Sequence, residues 1–370
     1  MKKTIAGLEG MRGVAALFVV LFHMQISLPG LEIARNGYLA VDLFFVLSGF
    51  VIAAAYGERV GNLTDLTSFM VRRLGRLWPT HLIANVLFYI VPGTFGMIAL
   101  ALGAENVRLS FPTTGEALGL VFMLQGLPIY DHFVGTLVSW STSVEFYVYL
   151  LFGVVCLLVR GRARTSAYVV LAAAGYATAV WAAARSHDCA ARLYCFSLAY
   201  DYGWARGVAG FFLGALIADH RNAAPIVAIT RPAAQIVVFA VATLLMMFAN
   251  VAYGSAYLAP AIFALVIASM SRDTGPVARI FRARPAQYLG KLSYSLYLGH
   301  AVLLPFLIAI SSTWRSPVGY LTTGALYLAA SIALAARLNR TIEIPFREKV
   351  YAWADAEFQS RPAGRPASDR

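Results

Sequence analysis

The run "MRGVAALFVVLFHMQISL" (residues 11–28) has the length and apolar character of a membrane span, yet it carries His23 near its middle. Roughly 20 apolar residues cross a bilayer. An ionisable side chain at that depth is costly unless it faces the interior of a helix bundle. We therefore predict a first transmembrane helix at 11–29 with a functional group inside it. Because no small-residue cleavage site follows, we expect this span to be retained and not removed as a signal peptide.

The composition extends this interpretation to the whole chain. Of the 370 residues 59% are hydrophobic and only 13% are charged, whereas a soluble domain carries far more charge. The apolar runs predict an all-α polytopic membrane protein with ten transmembrane helices, at 11–29, 37–56, 80–102, 140–159, 166–184, 204–219, 233–251, 256–271, 288–310 and 318–337. The segment "GEALGLVFMLQGLP" (115–128) is too short and broken to cross, so we predict a re-entrant or interfacial segment packed against other helices.

The net charge of +12 would suggest a nucleic-acid partner in a soluble protein, but here the positions of the charges predict otherwise. With a cytoplasmic N-terminus, all but six of the 30 basic residues fall on the cytoplasmic side. The six on the outer side are Arg35, Arg108, Arg185, Arg192, Arg206 and Arg315. The positive-inside rule therefore predicts that both termini are cytoplasmic, and the bilayer is the expected partner.

We predict one membrane domain at 1–355 and a disordered cytoplasmic tail at 356–370, because that tail is polar and rich in Pro and Gly. Cys156 lies in a predicted span, where we expect it to pack. Cys189 and Cys195 share a predicted outer loop, in a compartment that permits a disulfide, but spacing alone leaves that bond open.

Four ionisable residues from four predicted helices collect at similar depths. With a rise of about 1.5 Å per residue, His23 and His300 lie near the midplane, and Asp42 and Glu145 lie below the outer surface. Any one of them could be a structural pair member, but the set of four predicts a reaction centre or a proton path.

A second feature lies at the predicted cytoplasmic surface, in "FMVRRLGRLWPTHL" (69–82). Arg73 and Arg76 are three residues apart, so they share one face of a helix. Paired guanidinium groups suit phosphate oxygens, and Arg72 would add to the positive field, although all three arginines could also be ordinary membrane anchors. No metal-ligand spacing stands out, and we expect no metal.

The ordered segments "LEGMRGVAALFVVLFH", "GYLAVDLFFVLSGFVIA", "RRLGRLWP", "WSTSVEFYVYL" and "LGKLSYSLYLGH" resemble the acyltransferase-3 family of integral membrane acyltransferases. The resemblance implies transfer of an acyl group, often acetyl, from cytoplasmic acyl-CoA to a hydroxyl. The acceptor it implies is a glycan or a glycosylated small molecule, often extracytoplasmic, and the location a bacterial inner membrane. Two departures, Thr142 and Gly299, concern contacts with the acceptor.

The resemblance also assigns site residues. It implies that His23 is catalytic, with Asp42 or Glu145 orienting its imidazole, and that Arg73 and Arg76 bind the donor. The residues expected to contact substrates are Arg12, Trp140, Ser141, Tyr297 and His300.

A proton-coupled transporter of a small solute or glycan precursor is the alternative, because histidines and carboxylates also form relays. The inverted halves that would favour a transporter are not found in the sequence. The acceptor, the acyl chain length and the oligomeric state, a homodimer included, are left open.

Overall fold

The protein is described here by a computed structural model covering residues 5–25, 27–31, 34–101, 111–185, 189, 191 and 194–359. Arg108, His187, Arg192 and residues 360–370 of the expected disordered tail lie outside the described residues. Within the described part every regular element is helical and no strand is present. The helices are α1 (Ala6–Gln25), α2 (Ala40–Tyr56), α3 (Leu63–Ala101), α4 (Thr114–Val121), α5 (Ser139–Leu158), α6 (Gly161–Arg185), α7 (Gly203–Asp219), α8 (Ala224–Ile229), α9 (Pro232–Phe248), α10 (Ala259–Met270), α11 (Gly275–Phe281), α12 (Arg284–Thr313), α13 (Pro317–Leu338) and α14 (Ile344–Gln359).

The predicted all-helical membrane fold is confirmed, but the number of ten spans is not. Each predicted span coincides with a helix, and seven of the described helices are long and apolar enough to cross a bilayer. The three predicted spans that miss this test lie on α7 and α9, with 17 residues each, and on α10, with 12. At about 1.5 Å per residue these helices fall short of a hydrocarbon core of about 30 Å. Together with the helical turn that precedes it, α10 forms a helix pair with α11 that is bent by 93°. This bent pair adds at most one span to the seven.

Two helices extend well beyond the predicted spans. The arginines of 69–82 belong to α3, a helix of 39 residues that also contains the third predicted span and two internal prolines. At the other end of the chain, α13 continues through a π-helical turn (Asn339–Glu343) into α14, which ends at Gln359. Residues 356–359, expected in the disordered tail, are therefore helical.

The segment 115–128 is non-spanning, as predicted. Its helix α4 has only eight residues, and the loop behind it is bonded to the neighbouring long helices. Ser143 of α5 donates to the Met123 carbonyl, and Trp78 of α3 donates to that of Val121 at 2.8 Å. These bonds supply the polar partners that lipid cannot.

Close packing of two helix pairs forms the centre of the molecule. At the contact between α2 and α7, a Cβ on Gly49 would collide with the Phe211 carbonyl, and one on Gly214 with that of Val46. At the contact between α1 and α12, a Cβ on Gly13 would collide with the backbone of Gly290. Small residues that let backbones approach are the usual device for joining helices inside a bilayer. These contacts fix the walls of the site described next.

Candidate active site

A cavity of about 400 Å³ opens between α1, α2, α3, α5 and α12, and we call it the arginine cavity. Its polar lining includes the four arginines Arg12, Arg73, Arg76 and Arg221 and the carboxylates Glu9 and Glu145. On α2 the lining runs from Ala55 to Val41, a distance of about 21 Å along the helix axis. We call the side of the cavity next to Arg73, which contacts Tyr56, the arginine end. We call the opposite side, next to Phe44 and Tyr297, the closed end, because the α2 lining stops one helical turn further on, at Val41.

Arg73 and Arg76 both face this cavity, as their spacing on one helix predicts. Arg73 is 8% exposed and donates from Nη2 to the Tyr351 hydroxyl at 2.8 Å, while its Nε has no partner among the described residues. Arg76 forms no direct ion pair with a described residue and interacts electrostatically with Glu343. Two guanidinium groups thus keep donor capacity next to an open volume.

Arg72 differs from its two neighbours. Its guanidinium pairs with Asp355 of α14 at 2.8 Å, and it does not line the cavity. Arg12, by contrast, does line it, and it donates to Glu9 at 2.8 Å and to the Ser293 hydroxyl at 2.9 Å. The structure therefore separates one anchoring arginine from those that surround the cavity.

Glu145 lies on the cavity wall as part of a hydroxyl cluster. Ser48 donates to Glu145 Oε1 at 2.7 Å, and Tyr149 donates to the same oxygen. Further toward the closed end, the hydroxyl groups of Ser141 and Tyr297 are 2.7 Å apart. Glu145, Ser141 and Tyr297 are thus brought to one cavity, although on the described contacts Glu145 is occupied by hydroxyl groups and not by an imidazole.

His23 and His300 form a buried pair just behind the closed end. His300 Nε2 lies 3.1 Å from His23 Nδ1, and the Tyr297 ring stands 6.3 Å from the His300 ring, centroid to centroid. Neither histidine lines the cavity itself. His300 is one helical turn beyond Tyr297 on α12, so the Tyr297 ring lies next to both the cavity and the histidine pair.

The hydrogen bonds fix the tautomer of both histidines. His23 Nδ1 lies 2.9 Å from the Val19 carbonyl and His300 Nδ1 lies 3.0 Å from that of Leu296. A carbonyl only accepts, so both Nδ1 atoms carry hydrogen. The single hydrogen on His23 Nδ1 is shared between two acceptors, the Val19 carbonyl at 2.9 Å and His300 Nε2 at 3.1 Å. No described residue hydrogen-bonds to His23 Nε2. That nitrogen keeps the lone pair that a general base or a nucleophile requires.

The structure corrects the expected role of Asp42. Both of its oxygens are taken by Arg206 of α7, at 3.1 Å from Nε and 2.7 Å from Nη2, and Asp42 is fully buried. The described polar contacts of His23 come from Val19 and His300 instead. Asp42 therefore does not orient His23, because a bidentate arginine already occupies the carboxylate.

Trp140 belongs to this same ion-pair cluster. The Arg206 guanidinium lies 5.5 Å from the Trp140 ring, and it also donates to the Leu198 carbonyl at 2.6 Å. Trp140 is not part of the cavity lining, although it was expected to contact substrate. Its ring covers a buried charge pair, which is a cation–π role.

Four side chains with contacts in or near the site escaped the sequence reasoning. Arg206 was counted on the outer side, although an arginine at the start of an apolar run signals a buried partner. Ser48 of α2 and Tyr149 of α5 both donate to Glu145, and Tyr149 lies one helical turn from it on the same helix. Glu343, in the π-helical turn, is 3% exposed and accepts from Ser295 at 2.7 Å. A carboxylate just after an apolar span was the available signal, and π-turns often mark functional positions.

Outside the spans, His132 joins two carboxylates in the segment between α3 and α5. Its Nδ1 lies 2.7 Å from Asp131 and its Nε2 lies 2.8 Å from Glu116. The hydrogen bond to Asp131, followed by that to Glu116, raises the pKa of His132 above its ordinary 6.5. The contact with His132 is also the main reason that the pKa of Glu116 is lowered to about 2.

Cys189 and Cys195 are disulfide-bonded, which answers the question that spacing left open. Buried Cys195 belongs to the segment that continues through Phe196 and Leu198 to α7, and both of these residues contact Arg206. Among the described residues, no group of three or more His, Cys, Asp or Glu is arranged to hold a metal ion.

The fold and the cavity define a class: a polytopic membrane protein with an arginine-lined cavity that ends next to a buried histidine pair. The family model described as "Acyltransferase domain" matches residues 5–339, and the chain belongs to this acyltransferase-3 family. The resemblance noted in the sequence is thereby confirmed.

Relatives of known description agree with this family. A "Putative O-acetyltransferase" of Staphylococcus aureus (strain COL) is 25% identical over 93% of this chain and 58% of its own length. The "Putative peptidoglycan O-acetyltransferase YrhL" of Bacillus subtilis (strain 168) is 24% identical over 80% of this chain and 48% of its own length. "Protein 2 in picA locus" of Rhizobium radiobacter is 47% identical over 22% of this chain and 41% of its own length. The chain thus spans about half the length of the curated relatives it matches, and no solved structure matches it.

Proposed function

We propose that this protein transfers an acyl group, by default acetyl, from cytoplasmic acyl-CoA to a hydroxyl of a sugar-containing acceptor on the outer side of a bacterial inner membrane. One observation carries the proposal. The arginine cavity ends one aromatic ring short of a histidine pair in which no described residue bonds His23 Nε2. Anion-binding groups and a free imidazole nitrogen thus lie at the two ends of one path.

The donor binds with its phosphates at the arginine end. Arg73 and Arg76 supply guanidinium groups that face open volume, and Arg12 and Arg221 add positive charge around the same space. Charge-assisted hydrogen bonds from arginine to phosphate are among the strongest in proteins. The pantetheine arm then extends along α2 and brings the thioester to the closed end.

The chemistry falls to His23. Its Nε2 takes the proton of the acceptor hydroxyl as the oxygen attacks the thioester carbonyl carbon. The carbon–sulfur bond breaks, and the CoA thiolate leaves and takes up a proton. The Val19 carbonyl and His300 Nε2 hold the reactive tautomer by sharing the Nδ1 hydrogen, at the position that a carboxylate fills in a serine–histidine–aspartate triad. The Tyr297 ring must move for the reactants to meet. The variant in which His23 carries the acyl group uses the same nitrogen.

The acceptor class is supported by the relatives, whose names include O-acetyltransferases and a peptidoglycan O-acetyltransferase. A glycan of the cell envelope is therefore the acceptor we propose. Its hydroxyl approaches the histidine pair from the side opposite the arginine end.

The experiment uses membrane vesicles that hold the full chain, given acetyl-CoA and an envelope glycan. Free CoA is measured with a thiol reagent, and the glycan is analysed by mass spectrometry. We expect CoA release that depends on the glycan and equals the acetyl groups gained by it. Absence of glycan-dependent release, together with uptake of a solute, would replace the proposal by proton-coupled transport.

A further inference from the structure

Two aromatic rings line the arginine cavity at its closed end, together with Val41, Phe45 and Ser141. Phe44 of α2 and Tyr297 of α12 both line the cavity, with ring centroids 5.7 Å apart and planes at 81°. The Tyr297 hydroxyl, 2.7 Å from that of Ser141, also donates to the Val138 carbonyl at 3.3 Å. The Tyr297 ring is thus held by two polar contacts of its hydroxyl, whereas the Phe44 ring is held by packing.

These rings stand at the depth where the thioester must lie. Phe44 is twelve residues from Tyr56, the contact of Arg73, which corresponds to about 18 Å along the helix. The histidine pair lies directly behind Tyr297. A carbonyl carbon that reacts there has to sit against the two rings, and the carbons of a longer acyl chain would have to pass into the space that Phe44 fills.

Apolar side walls close the remaining directions. Val41, Phe45 and Leu47 line the cavity near Phe44, and Phe45 is itself packed against Trp140 with ring centroids 6.2 Å apart. Protein interiors of this kind are close-packed and do not yield room for several methylene groups. The available length is therefore set by Phe44, since Tyr297 is the ring that moves in the proposed reaction.

We propose that Phe44, with Tyr297 behind it, limits the length of the acyl chain that the enzyme accepts, and that shortening Phe44 converts a short-chain transferase into one that takes medium chains. This inference rests on the proposed function, since it takes the arginine cavity as the donor site. It adds a residue that determines specificity and is not a participant in the chemistry.

The test compares kcat/KM for acetyl-, butanoyl- and hexanoyl-CoA in the purified full chain and in Phe44→Ala. One methylene in an apolar pocket changes selectivity by about tenfold or more. We expect the hexanoyl-to-acetyl ratio to rise at least tenfold in Phe44→Ala. The matched control is Phe50→Ala, which removes the same ring from the same helix and cavity about 9 Å nearer the arginine end. Its ratio should stay at the parental value.

An unchanged ratio in Phe44→Ala, or an equal rise in Phe50→Ala, would overturn the inference. If Phe44→Ala does not fold, Phe44→Leu replaces it, with butanoyl-CoA as the discriminating donor and the same two outcomes. A parent protein that releases no CoA from any acyl-CoA in the presence of glycan would instead refute the proposed function, so the two failures are distinguishable.

Discussion

Two of the buried charge groups among the described residues differ in how completely they are paired. Arg206 and Asp42 satisfy each other with two hydrogen bonds in a fully buried position, and the aromatic rings of Trp140 and Phe196 cover them. The arginines of the arginine cavity surround an open volume, with the Arg73 Nε unpartnered among the described residues.

The difference teaches how to separate structural from functional charges in a membrane. An arginine that forms a bidentate pair with a carboxylate and does not line a cavity holds helices together. An arginine that lines a cavity and keeps unused N–H donors can bind an anionic ligand. The depth of a residue in the bilayer does not reveal which of these it is. The predictions below test this division, from the largest expected effect to the smallest.

The largest loss of activity is expected at the histidine pair. In His23→Ala the rate of acyl transfer should fall by about 10²–10⁴-fold, the usual contribution of a general base. His300→Ala should cause a smaller loss, because it removes the partner of Nδ1 but leaves Nε2 in place. Transfer of labelled acetyl to glycan measures both. The control is His220→Ala, an exposed histidine whose described contact is the Leu216 carbonyl. Normal transfer by His23→Ala would remove His23 from the chemistry.

The largest loss of stability is expected at the ion pair. Asp42→Ala leaves the buried Arg206 guanidinium without its carboxylate, which costs about 3–5 kcal/mol of unfolding free energy. The double replacement Asp42→Leu with Arg206→Met should recover much of that loss, because neither charge is then left alone. Thermal unfolding in detergent measures the series. If the double variant is as unstable as Asp42→Ala, the unpaired Arg206 charge is not the cause of the lost stability. The division between structural and functional charges would then fail.

The donor arginines should affect binding of acyl-CoA more than turnover. Arg73→Ala and Arg76→Ala should each raise the KM for acetyl-CoA about tenfold or more, since a hydrogen bond to a charged group contributes about 1.5–3 kcal/mol. Arg72→Ala is the matched control. Its ion pair reaches the half-exposed Asp355, and such pairs contribute little. Equal KM values in all three variants would mean that the cavity arginines do not bind the donor.

The smallest effect is a pH dependence of the segment around α4. The raised pKa of His132 means that its bonds stabilise the fold fully below 6.5 and lose that contribution as the pH rises through the raised value. The lowered pKa of Glu116 means that its contribution is full above 4.5 and is lost as the pH falls toward about 2. Hydrogen exchange in residues 113–132, corrected for its intrinsic pH dependence, should therefore show most protection between pH 4.5 and 6.5. His132→Ala should abolish that maximum. An unchanged pH profile of protection in this variant would show that the bonds of His132 to Asp131 and Glu116 do not stabilise the segment.

The sequence predicted the helical class better than it predicted which side chains contact each other. Period and hydropathy were enough to locate a helix at each of the ten predicted spans, because long apolar runs in a membrane protein form helices. The side-chain partners depend on helix rotation and on which helices become neighbours. Thus Asp42 and His23 have similar depths, but Asp42 faces α7 and Arg206, while His23 faces α12 and His300. The lengths of α9 and α10 likewise depend on where the chain turns, and hydropathy alone overestimated both.

The most direct test of the account is a structure of the full chain with an acetyl-CoA analogue in which a thioether replaces the thioester. The account predicts that the analogue fills the arginine cavity, with its phosphates within hydrogen-bond distance of Arg73 and Arg76 and its acyl end against Phe44 and Tyr297. An analogue bound elsewhere, or an empty cavity at saturating analogue, would contradict it.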